Sequence, residues 1–189
     1  MLKEPRPGRV KTRLAQDFGR TNAALWFRNQ SLSLLRRIED PRWETLLAVS
    51  PDREGLTSRV WPDHLPRIPQ GRGDLGDRMA RIFHRLPPGP VCIIGADIPG
   101  ISRRTIGNAF RSLGNHDAVF GPATDGGYWL VGMKRNTPPP PTLFRNVRWS
   151  TEHALADSKV SLPNHRIAHV DTLADVDTLA DLKRSHRTT

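Results

Sequence analysis

The chain has 189 residues and a formal net charge of +10; 37% of its residues are hydrophobic and 6% aromatic. That length suits one domain with a sizeable core, and 1–189 reads as a single domain. No apolar run approaches the ~20 residues of a membrane span, the first residues carry no signal-peptide core, and one cysteine, Cys92, rules out an intramolecular disulfide framework or a multi-cysteine metal site. The cytoplasm is the expected compartment.

Only five of the 29 basic residues are lysines. Arginine suits bidentate phosphate recognition. No aromatic-interleaved basic stripe or RNA-binding signature is present, so the expected partner is a phosphate-bearing small molecule and not nucleic acid.

Residues 3–13 form a loop broken by Pro5, Pro7 and Gly8, and Lys3, Arg6, Arg9, Lys11 and Arg13 make it strongly cationic. Such a loop leading into a helix can gather cations and N–H groups around phosphates. It is not a Walker A loop, because Val10 and not Gly precedes Lys11. In an α/β domain a buried strand precedes a loop of this kind. Only Met1 and Leu2 stand before this one, so the N-terminal strand reads as missing and the start codon as internal.

Thr21 or Asn22 is the expected cap of a helix to about Glu39, with Leu25, Leu32, Leu35 and Ile38 on one face and Arg28, Arg36 and Arg37 pointing elsewhere. Thr45–Val49 reads as a strand. Pro51, Pro62, Pro66 and Pro69 make 50–69 mostly loop, with Ile68 in a short strand. Gly71, Gly73 and Gly76 match G-x-G-x-x-G with Asp97 about 20 residues on, but the Pro-broken stretch before them is not the strand a dinucleotide fingerprint requires. A glycine turn before a helix over 74–86 fits better, with Leu75, Met79, Ile82 or Phe83, and Leu86 as its apolar face.

Val91–Ile94 is a short apolar run, expected as a parallel strand buried on both faces. It leads through Gly95 and Ala96 to Asp97, Pro99 and Gly100. In open α/β sheets ligands bind at the carboxyl ends of strands, so Asp97 stands where chemistry is usually done. Ser102 can cap a helix to about Leu113. Residues 118–122 and 128–132 read as strands around Asp125-Gly126-Gly127, by default a hairpin turn. A polyproline spacer covers 138–141. Ser150 is the expected cap of a helix to about Ser158, and 166–170 a late strand. The end repeats Asp-Thr-Leu-Ala-Asp at 171–175 and 177–181; Thr178 with Asp181 resembles a capping box, and capping accounts for most of these acids, a further metal carboxylate being the lesser reading. No histidine spacing suggests zinc.

Taken together, Lys3-x-Pro5-x-Pro7-Gly8-x-Val10-Lys11-Thr12-Arg13-Leu14, Gln70-Gly71-x-Gly73-Asp74-Leu75-Gly76, Gly95-x-Asp97-x-Pro99-Gly100, Gly121-Pro122-x-x-Asp125-Gly126-Gly127-Tyr128, Trp149-Ser150-Thr151 and Asp175-Val176-Asp177-Thr178 resemble the bacterial DUF2064 family. That family is GT-A-like and related to the molybdenum-cofactor and 2-phospholactate guanylyltransferases. The resemblance implies a three-layer α/β/α nucleotide-diphospho-sugar transferase fold with a mostly parallel sheet. It implies a glycosyltransferase that moves a sugar from a nucleotide sugar to a small acceptor with Mg²⁺ or Mn²⁺. The alternatives are a nucleotidyltransferase releasing pyrophosphate from an NTP and a non-catalytic nucleotide-binding protein. By the same likeness Lys11 and Arg13 hold phosphates, Gln70, Gly71 and Gly73 border the base, Asp97 holds the metal, and Asp125, Gly126 and Gly127 line the acceptor side, with Asp125 and Lys11 catalytic. Where the glycosyltransferase metal motif is usually Asp-x-Asp, this chain has Gly95-Ala96-Asp97 and one acid.

Overall fold

The computed structural model describes residues 1–185. It contains β1 (Leu2–Lys3), α1 (Leu14–Phe18), α2 (Arg20–Ile38), β2 (Leu47–Ser50), α3 (Asp52–Leu56), β3 (Arg67–Pro69), α4 (Leu75–Arg85), β4 (Val91–Ile94), α5 (Arg103–Ser112), β5 (Ala118–Pro122), β6 (Tyr128–Met133), α6 (Ala154–Val160), β7 (Ile167–His169) and α7 (Leu179–Ser185). These elements fall into two compact units, neither continuous in sequence. The first comprises Met1–Pro69, Gly95–Arg103 and the residues from Ala174 onwards; the second comprises Gln70–Ile94 and Arg104–Leu173.

The first unit is built on a parallel sheet of order β1-β2-β3. Leu2 pairs with Val49 and Lys3 with Ser50, and Leu47, Ala48 and Val49 pair with Arg67, Ile68 and Pro69. The basic loop is thus preceded by a strand after all: Leu2 and Lys3 pair with β2, and Leu2 is buried. α3 occupies part of the stretch expected as loop. α2 begins at Arg20 after Gly19, whose φ of 85° breaks the chain between α1 and α2, so neither Thr21 nor Asn22 caps it. Its buried face is Ala23, Ala24, Phe27, Ser31, Leu34, Leu35 and Ile38, while Leu25 is exposed. The small Ala23 and Ala24 allow close approach, which a pattern of large apolar residues does not register. Leu14, Ala23, Val176 and Leu182 form one buried cluster, with Phe18, Trp26 and Leu179 against it, tying both ends of the described chain to α2.

The second unit carries a mixed sheet of order β4-β6-β5-β7. β6 runs antiparallel to both β4 and β5, and β7 is parallel to β5. β4 is therefore not the parallel strand expected, and three of its four residues are only half-buried. The Cys92 thiol is nonetheless pushed up to about 12 by burial, so it stays protonated. The 123–127 turn joins β5 and β6 as a hairpin, with Pro122 opposite Tyr128. α4 begins with a reciprocal capping box between Asp74 and Asp77 and buries Met79, Ile82 and Phe83, but its Leu75 is exposed. α6 starts at Ala154 and not at Ser150, whose φ of 60° is left-handed and incompatible with capping. Among the described residues no helix is long and apolar enough to cross a membrane.

Leu14 has no exposed surface and holds α1 to α2 and to the C-terminal segment. Leu14→Ala should destabilise the protein by about 2–5 kcal/mol. A urea midpoint shift smaller than that range predicts would mean the cluster collapses around the cavity.

Candidate functional site

The basic loop ends in a turn at Lys11, where φ is 46°. A left-handed backbone costs a non-glycine residue about 1–3 kcal/mol and persists only where surrounding contacts hold it. Here the Lys11 carbonyl accepts from the Ala15 N–H at 2.9 Å, opening α1, while the side chain turns inward. Its ammonium lies 2.7 Å from Asp97 Oδ2 and 2.7 Å from Asp177 Oδ1. The Lys11 side chain is 6% exposed and the two carboxylates about a third, 32% and 33%. Arg13 reaches the other oxygen of Asp177 at 3.3 Å. Trp26 lies under the ammonium, its ring centre 6.0 Å away.

Burial disfavours the charge on Lys11, and the two carboxylates outweigh it, so its pKa stands above the ordinary lysine value. A buried ammonium without such partners would neutralise. Lys11 and the two acids thus form one closed charge cluster.

Asp177 is one of the repeated acids, most of which the sequence attributes to capping with a further metal carboxylate as the lesser reading. The cap of α7 uses the side chains of Thr178 and Asp181: the Thr178 N–H donates to Asp181 Oδ2 at 2.8 Å and the Asp181 N–H to Thr178 Oγ1 at 3.2 Å, and Asp177 contributes only its backbone N–H, 3.2 Å from Asp181 Oδ2. That leaves the Asp177 carboxylate for Lys11 and Arg13, while Val176 anchors the segment in the apolar cluster. The repeated Asp-Thr-Leu-Ala-Asp was the available signal, since one helix start uses one capping box. Arg37 was also passed over. Its guanidinium donates to the carbonyls of Ile101 at 2.7 Å and Pro99 at 2.9 Å, gripping the turn that carries Asp97.

The two carboxylates converge on one cation. They are hard oxygen donors of the kind Mg²⁺ and Mn²⁺ take, and a two-carboxylate set leaves the other positions to water and substrate phosphates. Among the described residues no cluster of three His, Cys, Asp or Glu side chains suits a metal. Asp97 and Asp177 could hold such a cation only with further ligands from outside the protein and with Lys11 displaced.

The remaining site residues lie in the second unit. Gly71 has φ of 80°, and a Cβ there would fall 2.6 Å from Arg81 Nη1. Arg81 donates to the carbonyls of Gln70 at 2.7 Å and Arg72 at 2.8 Å, and Arg78 to that of Gly73 at 3.0 Å. Gln70 is buried. The 70–73 loop is thus shaped by arginines of α4 that hold its carbonyls. Asp125 Oδ1 accepts from the Gly127 N–H at 2.9 Å, a local turn contact. Gly126, with φ of 85°, lies so close to Glu152 that a Cβ would sit 2.3 Å from its carbonyl oxygen. The structure brings Lys11, Arg13 and Asp97 together with Asp177 in the first unit, and groups Gln70, Gly71 and Gly73, and separately Asp125, Gly126 and Gly127, as local loops of the second.

The family described as "Uncharacterized protein conserved in bacteria (DUF2064)" matches residues 34–151. The chain belongs to this family. No curated protein matches it. Among solved structures it is similar to a Desulfovibrio desulfuricans protein provisionally assigned as a nucleotide-diphospho-sugar transferase, with 28% identity, a TM-score of 0.85, and coverage of 99% of this chain and 84% of that one. It also resembles Rv0371c of Mycobacterium tuberculosis at 14% identity and a TM-score of 0.52, covering 84% of this chain and 81% of that one. A third likeness is to 4-diphosphocytidyl-2C-methyl-D-erythritol synthase of Anaerococcus prevotii, at 10% identity and a TM-score of 0.56, covering 86% and 85%. This family member thus has the nucleotide-diphospho-sugar transferase fold.

The raised Lys11 pKa gives a pH signature. A group whose folded pKa lies above its unfolded value stabilises fully below the unfolded pKa, here 10.5, and loses that contribution as pH rises through the folded pKa. Wild-type stability should therefore fall above about pH 10.5 more steeply than that of Lys11→Met. Urea titrations from pH 8 to about 11.5 check this; parallel curves for the two proteins would show that the ion pairs do not stabilise the fold.

Proposed function

We propose that this protein is a transferase acting on a nucleotide-linked diphosphate, and most specifically a glycosyltransferase using a nucleotide sugar and a small acceptor. The observation that carries the reading is the convergence of Asp97 and Asp177 on Lys11, next to a cationic loop, in a chain of this fold. A divalent cation, Mg²⁺ or Mn²⁺, would be held by Asp97 and Asp177 and would offset charge on the diphosphate.

In this reading the acceptor oxygen bonds to the anomeric carbon while the bond from that carbon to the diphosphate breaks. The diphosphate leaves with the electron pair. Lys11 turns its ammonium to the leaving group only as the bond breaks and charge develops there, with Arg13 at the rim beside Asp177. Asp125 is the candidate for taking the acceptor's proton: its Oδ1 is occupied by the Gly127 N–H, which leaves Oδ2 for the acceptor. Gly126 and Gly127 hold that turn, and Gln70, Gly71 and Gly73 present backbone to the base.

Nucleotidyl transfer with release of pyrophosphate is a second reading. It is favoured by the acid pair itself, because Asp97 follows Gly95-Ala96 and its partner Asp177 comes from a distant segment. A non-catalytic nucleotide-binding protein is a third, favoured by Lys11 filling the carboxylate pair.

Incubation with Mn²⁺ and panels of nucleotide sugars and NTPs separates them. Consumption of a nucleotide sugar supports the first, pyrophosphate from an NTP the second, and binding without turnover the third. Asp97→Asn and Asp177→Asn should each weaken Mn²⁺-dependent nucleotide binding at least tenfold, about 1.4 kcal/mol. Unchanged calorimetric affinity in either variant would return that residue to a purely structural role.

A further inference from the structure

We propose that Lys3, Arg6 and Arg9 dock the diphosphate of the substrate, in a cavity at the carboxyl ends of β1 and β2, and that Lys11 and Arg13 do not hold it in the resting complex. This rests on the transferase reading above and names the site within it.

The argument is an accounting of the five loop cations. Lys11 is held by Asp97 and Asp177, and Arg13 by Asp177. Taking either onto a phosphate first requires breaking an existing ion pair. Arg6 has one exposed contact, 3.3 Å to Glu54, with half its side chain open to solvent. Lys3 and Arg9 are exposed and form no ion pair among the described residues. The cations at liberty to meet an anion are therefore Lys3 and Arg9, and Arg6, tied to Glu54 no more closely than Arg13 to Asp177, lines the same cavity beside them.

The backbone gathers these three. The Glu4 N–H donates to the Ser50 carbonyl at 2.8 Å, extending the β1–β2 pairing. Two tight turns follow, Arg6 N–H to Glu4 O at 2.8 Å and Arg9 N–H to Arg6 O at 3.0 Å. The result is a cavity of about 290 Å³ lined by Lys3, Glu4, Arg6, Arg9, Ser50 and Pro51. Parallel strands put their carboxyl ends on one side, and ligands of open α/β sheets bind there.

Charge and size select the ligand. Three cations line the cavity with one carboxylate, Glu4, which accepts from Ser58 Oγ at 3.0 Å, while a second carboxylate, Glu54, meets Arg6 alone. Two of the three are arginines, whose forked donors match phosphate oxygens. The cavity lies at the small end of the roughly 300–1,000 Å³ range of ligand pockets, enough for a diphosphate group and not for a whole nucleotide. The sugar and base would then extend beyond it.

The test uses inorganic pyrophosphate, in EDTA and at low salt, by calorimetry on the full chain. The double variant Lys3→Ala/Arg9→Ala should bind at least tenfold more weakly than wild type. Arg28→Ala/Arg36→Ala, which removes two exposed charges from α2, should stay within twofold, and Lys3→Arg/Arg9→Lys should recover most of the affinity. Equal losses in the two alanine doubles would reduce the effect to general charge and overturn the proposal, as would a wild type that binds no pyrophosphate. Where a nucleotide sugar or NTP is turned over, the alanine double should raise KM and spare kcat. Unchanged KM would sink the docking site and leave the transferase reading standing. Selective pyrophosphate binding without turnover of any nucleotide would do the reverse.

Discussion

A lysine ammonium removed from water is the constraint on which the first unit depends. It cannot remain charged there without anions close by, and it finds two. One follows β4 in the chain and the other precedes α7, so three segments distant in sequence must meet at one nitrogen. The left-handed backbone at Lys11 lets the same residue open α1 through its carbonyl and still send its side chain inward. The apolar cluster of Leu14, Ala23, Val176 and Leu182 supplies the non-directional part of the same convergence.

The acids are held from behind. Arg37 grips the turn after Asp97 through two carbonyls, and Val176 fixes the residue before Asp177 in the core. Rigid placement of like charges near each other is costly unless a cation sits between them. Lys11 meets that requirement in the free protein, and a cation bound with substrate would meet it in the complex. The same logic divides the loop: its C-terminal cations maintain the acid pair, and its N-terminal cations face the cavity. In the second unit arginines again act on carbonyls, with Arg81 and Arg78 closing the 70–73 loop and Arg135 donating to the carbonyls of Leu86 and Pro87. Much of the arginine excess is therefore structural, which composition alone cannot distinguish from ligand binding.

What the sequence determined by itself was whatever local rules govern. The capping box at Thr178 and Asp181, the helices α4 and α5, the hairpin around Asp125-Gly126-Gly127 and the strands β5, β6 and β7 follow from periodicity, caps and turn residues. The ordered set of motifs pointed to the family and the fold. Tertiary structure decided what depends on distant partners. The direction of β4 was set by its pairing with β6, which an apolar run of four residues cannot encode. α1 is too short to announce itself, and α2 turns its alanine face inward because neighbours approach closely there. Lys11 and Asp97 were legible as candidates from their loops, but not as partners. Asp177 was hidden because nothing local separates its carboxylate from the other acids of the repeat, and its partner Lys11 lies 166 residues away in the chain. Charge pairing acts through space over a few ångströms, and sequence separation carries no record of it.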